Sequence, residues 1–251
     1  MDVVVPPVMM DLGLRSVAAD HLKDYYGRAN DGSFPGYSGS RFDTFPNASA
    51  PQTPPNEITA EDLLAVQCLG VEFKGDAVLW ILDFNHDTIS NLLAEISTES
   101  CLWDVDQAGI EVDRGDGYEG KSLANRLWHV LRFPDPRDRT PGQGKPKACG
   151  VGATKVSKLM ARKRPDLFPI YDSRVRRILG RADSRKWYTN YRHLMMTTDE
   201  HGQPLHERIG RLLSELGDEG TAGIPESLSV LRACDVILWM EQKELSSRRP
   251  E

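Results

Sequence analysis

Apolar positions along this chain return mostly at helical spacing. In residues 14–28, LRSVAADHLKDYYGR, they recur every three or four places and predict an amphipathic helix. Thr59 is followed by Asp62 at capping-box spacing and then by Leu63, Leu64, Val66 and Leu69, so a core helix begins at Thr59. Residues 76–97 carry Val78, Leu79, Ile81, Leu82, Ile89, Leu92, Leu93 and Ile96, and the polar Asn85-His86-Asp87 divides them into two helices. Residues 122–131 (SLANRLWHVL) and 227–240 (SLSVLRACDVILWM) predict two more. In 206–217 (HERIGRLLSELG), Ile209, Leu212, Leu213 and Leu216 share one face and Gly217 is placed to cap the end. Strand alternation is confined to VVV at 3–5 and VEF at 71–73. The expected fold is mainly α, a helical bundle. Residues 1–57 form an N-terminal helix and an irregular Gly/Pro/Ser/Asn-rich loop, residues 58–245 the helical domain, and residues 246–251 a frayed tail.

Composition narrows the class of protein. A chain of 251 residues with 39% hydrophobic content can fill a core, and no repeat of 20–50 residues organises it. No apolar run approaches bilayer length, and MDVVVPPVMMDLG has acids and prolines where a signal peptide is basic, so a soluble cytoplasmic protein is expected. Cys68, Cys101, Cys149 and Cys234 are far apart with no C-x-x-C pair, and the six histidines are scattered. Reduced buried thiols are expected, with no metal and no other cofactor.

Charge changes the picture more. The net charge of -6 argues against nucleic acid, yet Lys145 to Arg192 holds fourteen Lys and Arg against Asp166, Asp172 and Asp183. That block is +11 and leaves -17 elsewhere, so folded onto one face it would be an electropositive footprint. The alternative is a solvated helical surface.

The block surrounds the stretch GVGATKVSKLMARKRPDLFPIYDSRV at 150–175, which follows a proline-rich loop at 134–147. Gly150 and Gly152 permit a tight turn, and the helix from Ala153 offers unpaired amides to a phosphate. Along that helix Val156, Leu159 and Met160 make an inner stripe, leaving Lys155, Lys158, Arg162 and Lys163 outside. It ends before Pro165. DLFPIYD then runs extended, anchored by Phe168, Ile170 and Tyr171, and Asp172 opens the next helix, where Asp is a favoured N-cap.

This arrangement resembles the helix-hairpin-helix signature of the DNA glycosylase superfamily that includes endonuclease III. There a G-V-G hairpin precedes, by about twenty residues, an aspartate and a V-x-R-type helix; here Asp172-Ser173-Arg174-Val175-Arg176-Arg177 stands at that spacing, and the likeness covers residues 150–181. More widely, ITAEDLLAVQCLGV, VSKLMARKRPDLFPIYDS and SVLRACDVILWM resemble an uncharacterised domain family common in actinomycetes.

The first resemblance implies a glycosylase-like helix-hairpin-helix core that binds double-stranded DNA by phosphate contacts, with Gly150, Val151, Gly152, Thr154, Lys155, Lys158, Arg162, Arg174 and Arg177 as the contacting residues. It implies that Asp172 is catalytic, stabilising positive charge on the sugar as a base leaves. The flipped base needs an aromatic pocket, for which Trp187, Tyr188, Tyr191, Tyr37 and Phe42 are candidates. Strand-cleaving members carry a lysine two residues after the second glycine, where this chain has Thr154, with Lys155 one position late. A monofunctional glycosylase of damaged or modified bases is therefore the expected activity. Two readings stay open beside it: a DNA-binding hairpin without chemistry, and a basic interface for an acidic partner or nucleotide. A pocket beside the Asp172 carboxylate separates the first two.

Overall fold

The computed structural model describes residues 5–27, 37–46, 53–106, 109, 122–132, 150–180, 186–221 and 223–248. Ten α-helices lie among them: α1 Val17–Tyr26, α2 Ala60–Gln67, α3 Gly75–Leu79, α4 His86–Glu95, α5 Leu123–Arg132, α6 Ala153–Lys163, α7 Ser173–Ile178, α8 Trp187–Met195, α9 Leu205–Asp218 and α10 Val230–Ser247. The mainly helical expectation holds. Residues 71–73 are irregular and not a strand, because Val71 and Phe73 pack as single side chains against the core with no partner strand among the described residues.

Local chemistry explains where the helices start. Ser16 Oγ accepts from the Ala19 amide and Ser229 Oγ from the Arg232 amide. Thr59 and Asp62 form the reciprocal capping box read from the sequence, each side chain accepting from the other's backbone amide. The break predicted at 85–87 falls at Asn85 alone, a turn residue that separates a π-helical turn, Trp80–Phe84, from α4. One expected stop moves: α9 continues through Gly217 to Asp218, and the left-handed turn falls at Gly220, where φ is 63°.

The axis of the molecule is α10, buried continuously from Leu231 to Leu238. Helices α1, α7 and α9 pack on it, while α2 and α5 pack on α6. Charge on a helix buried on every side is costly unless it is paired. The buried stretch 231–238 carries two charged side chains, Arg232 and Asp235, and they pair across one turn at 2.5 Å.

The Arg162-Lys163-Arg164 triplet corrects the expectation of an outward basic face. The Arg162 side chain is 7% exposed; it donates to Asp62 at 3.2 Å and to the carbonyls of Phe42, Asp43 and Phe45. Lys163 pairs with Asp62 and donates to Thr53 Oγ1 and Pro54 O. Arg164, 1% exposed, donates to Ile96 O, Leu93 O, Pro55 O, Lys163 O and Asn56 Oδ1. Loop carbonyls lack helical partners, and these cations supply them. Arg192 is likewise turned inward, onto Val105 O and Trp103 O.

Of the segment read as a long irregular loop, residues 37–46 contain a short 3-10 turn, Ser38–Arg41, followed by Phe42 buried at 3%, and residues 53–56 are tied down by Lys163 and Arg164. The rest of that segment lies outside the described residues, as do the proline-rich stretch 134–147, Cys149, Lys145, Lys147, Arg181, Asp183, Arg185, Val3, Val4 and the last three residues of the tail. Of the other cysteines, Cys234 is fully buried, whereas Cys68 and Cys101 are half-buried.

Candidate active site

Helices α5 and α6 pack together, and the GVG turn leads into α6. Gly150 has φ 78°, a conformation unfavourable to side-chained residues. Gly152 has φ -85° and serves as the N-cap of α6, so one glycine and not both carries the special backbone. Val151 is buried at 2%. Lys155 folds back to donate to Gly150 O at 2.9 Å and lies over the Phe73 ring, while Thr154 is half-buried.

The extended stretch after α6 is fixed by two bonds. The Tyr171 amide donates to Ser157 Oγ at 2.9 Å, fastening it to α6, and the Arg174 amide donates to Asp172 Oδ1 at 2.8 Å. Asp172 is thus the N-cap of α7. Its Oδ2 has no protein hydrogen bond among the described residues, and the side chain lines a cavity of about 270 Å³. Capping and facing a pocket coexist.

That cavity lies between α10, the start of α7, the end of α2 and the segment 37–39. Its aromatic wall is Tyr25, Tyr37 and Trp239: Tyr37 stacks on Tyr25 with centroids 5.2 Å apart and meets Trp239 edge-on. Arg174 sits over the outer Trp239 ring at 5.2 Å. The wall is held closely, since a Cβ on Gly39 would come within 2.1 Å of the Tyr25 hydroxyl. Lys243, bonded to the Tyr37 hydroxyl and lying over its ring, and Arg232, donating to Gly39 O, fasten this segment to α10. Ser38 and Gly70, both exposed, mark the mouth.

Inside are Lys158, Arg232 and Asp235. Lys158, expected outside, is 3% exposed and donates to Leu69 O at 2.9 Å. It is buried because α6 turns this face toward α2 and α10. Burial pushes its pKa down, opposed by the carboxylates of Asp172 and Asp235. Burial also pushes the Asp235 carboxyl up, against the pull of Arg232 and with help from Asp172, to about 7. A carboxyl raised in the folded state stabilises fully below its unfolded pKa, near 3.9, and that contribution is lost as pH rises through about 7. Asp235→Asn removes the slope, so its stability relative to wild type should grow by on the order of 2 kcal/mol between pH 5 and 7.5, read from urea midpoints. Parallel curves would rule out the shifted carboxyl.

Of the other residues expected at the site, Arg177 is exposed and Arg174 half-buried near the cavity rim. Arg162, one turn along the same face of α6 from Lys158, is taken up by the Asp62 network and the carbonyls of residues 42–45. Among the aromatic candidates only Tyr37 lines the cavity. Trp187, Tyr188 and Tyr191 are core side chains at 3%, 4% and 0% exposure, and Phe42 borders a smaller void beside it. Tyr25, Trp239, Arg232 and Asp235 were missed. The available signal was the pair of opposite charges three residues apart inside the apolar run 227–240.

The described residues thus form a helical chain with a half-open, aromatic-walled pocket beside a helix-capping carboxylate. Residues 18–242 match DUF6308, a family of unknown function, and the chain belongs to that family. The resemblance to an uncharacterised domain family is thereby borne out. No curated protein and no solved structure matches the chain.

Proposed function

We propose that the protein is a monofunctional glycosylase, hydrolysing the N-glycosidic bond of a damaged or modified base in double-stranded DNA, with Asp172 as the carboxylate at the sugar. The observation that carries this reading is the cavity beside Asp172, with one carboxylate oxygen that has no hydrogen bond among the described residues. At about 270 Å³ it is just below the roughly 300–1,000 Å³ of drug-sized ligand sites, a size suited to a single flipped base. Tyr37 and Trp239 offer ring faces and edges for stacking it.

The phosphate contacts in this reading fall to Gly150, Gly152, Thr154, Lys155, Arg174 and Arg177, without Lys158 and Arg162. A hairpin that binds DNA without chemistry has no use for the cavity, which is why the catalytic reading is preferred.

The test is a screen of the purified chain against duplexes carrying uracil, alkylated, oxidised and phage-type modified bases. Base release should leave abasic sites that break on heating or in alkali and stay intact otherwise. Binding in a gel shift with no base released from any duplex would overturn the catalytic assignment in favour of the bare binding module.

A further inference from the structure

Asp235 lines the same cavity as Asp172, on a different helix, and the role given to Asp172 makes no use of it. Its side chain is 5% exposed. Oδ2 accepts from Arg232 Nη1 at 2.5 Å, while Oδ1 is buried with no hydrogen-bond partner among the described residues. Buried polar atoms are nearly always bonded, and an exception beside a cavity points to a ligand.

Charge around the cluster is unbalanced in a way that bears on this atom. The cations are Lys158 from α6 and Arg232 from α10. The carboxyls are Asp172 at the start of α7, Asp235 on α10 and Asp43 from the 37–46 segment, which accepts from Arg232 Nε at 3.3 Å. Tyr25 from α1, Tyr26, Tyr191 from α8 and the Cys234 thiol complete the surroundings as neutral groups, their pKa values all raised by burial. Within the cluster two cations face three carboxyls, and Arg174 adds a half-exposed, solvent-screened cation at the rim. Arg232 also donates to Tyr25 and to Gly39 O, so it is shared between Asp43 and Asp235 and neutralises one of them. Holding one proton on the cluster makes it neutral.

We propose that Asp235 is a second catalytic carboxyl of this site, the acid that protonates the leaving base while Asp172 serves the sugar. This rests on the glycosylase reading above. In the step, the C1′–N bond breaks and its electron pair takes the Asp235 proton at a ring nitrogen of the base. Water adds to C1′ through its oxygen, its released proton passing to the Asp172 carboxylate. Asp172 then returns a proton to solvent and Asp235 regains one, so the sum is sugar hydroxyl plus neutral base from glycoside plus water. Division of labour between two carboxyls in different surroundings is the pattern of glycoside hydrolysis.

The proposal separates bases by whether they need a proton. A neutral base such as hypoxanthine leaves poorly without one, whereas 7-methylguanine is already cationic and leaves as a neutral base unaided. With the full chain and duplexes carrying each base, Asp235→Asn should slow hypoxanthine release roughly 10²-fold or more and leave 7-methylguanine release within a few-fold of wild type. In the wild type, release of the neutral base should fall as pH rises through about 7.

An infrared titration of the wild type, needing no variant to fold, should show a protonated carboxyl band disappearing near that pH. Equal loss on both bases, unchanged release of hypoxanthine, or no titrating band overturns the proposal and leaves the glycosylase reading standing. No release of any base from any duplex by the wild type removes both. Melting curves of Asp235→Asn alongside wild type separate a lost proton from a lost fold.

Discussion

Asp172→Asn should lower base release by roughly 10²–10³-fold or more, with little change in fold and with DNA affinity unchanged or slightly higher. The substitution is selective because Asn caps a helix about as well as Asp. The bond from the Arg174 amide to Oδ1 at 2.8 Å can therefore persist, and α7 keeps its start. What disappears is negative charge in a cavity that also holds Lys158 and Arg232, where low polarizability strengthens electrostatic effects. Affinity for duplexes should not fall, since the lost charge repelled phosphate. Single-turnover base release and a salt-titrated gel shift check the two halves. Wild-type release by Asp172→Asn would show that the carboxylate caps a helix and nothing more.

Asp62→Ala should destabilise the protein by about 3–5 kcal/mol. Asp62 is fully buried and meets Arg162 at 3.2 Å, Lys163, the Thr59 amide and the Thr53 hydroxyl. Removing it strips the capping box and leaves two buried cations without their carboxylate. The bonds Arg162 makes to Phe42, Asp43 and Phe45 carbonyls limit the damage without neutralising its charge. Asp62→Asn keeps much of the cap and should fall between. Guanidinium unfolding midpoints measure both, and a loss below about 1 kcal/mol would mean the network is solvated instead of structural. Because Arg162 fixes residues 42–45, next to the cavity wall at 37–39, the same variant should also weaken any ligand bound there.

The two residues differ in how readable they were. Asp62 could be placed from three letters of spacing, because a capping box is local and its geometry follows from four consecutive residues. The N-cap role of Asp172 was readable for the same reason. Its pocket was not, since the walls come from α1, α2, α10 and the 37–39 segment, over two hundred residues apart in the chain at the extremes, Tyr25 and Trp239. Lys158 and Arg162 were misread because composition counts charges without direction. A +11 block suggests a surface until the partners of each cation are known.

The sequence by itself determined most of the helices, though not Trp187–Met195, together with the caps at Thr59 and Asp172, the break near Asn85 and membership in an uncharacterised family, since periodicity and capping act over a few residues. Tertiary structure alone decided that the Arg162-Lys163-Arg164 triplet faces inward, that Trp187, Tyr188 and Tyr191 are core, and that Asp172 looks into a cavity shared with Asp235. The reason is physical. Burial of a charge is settled by whether distant carbonyls and carboxylates converge on it, and that convergence exists only once the helices have packed.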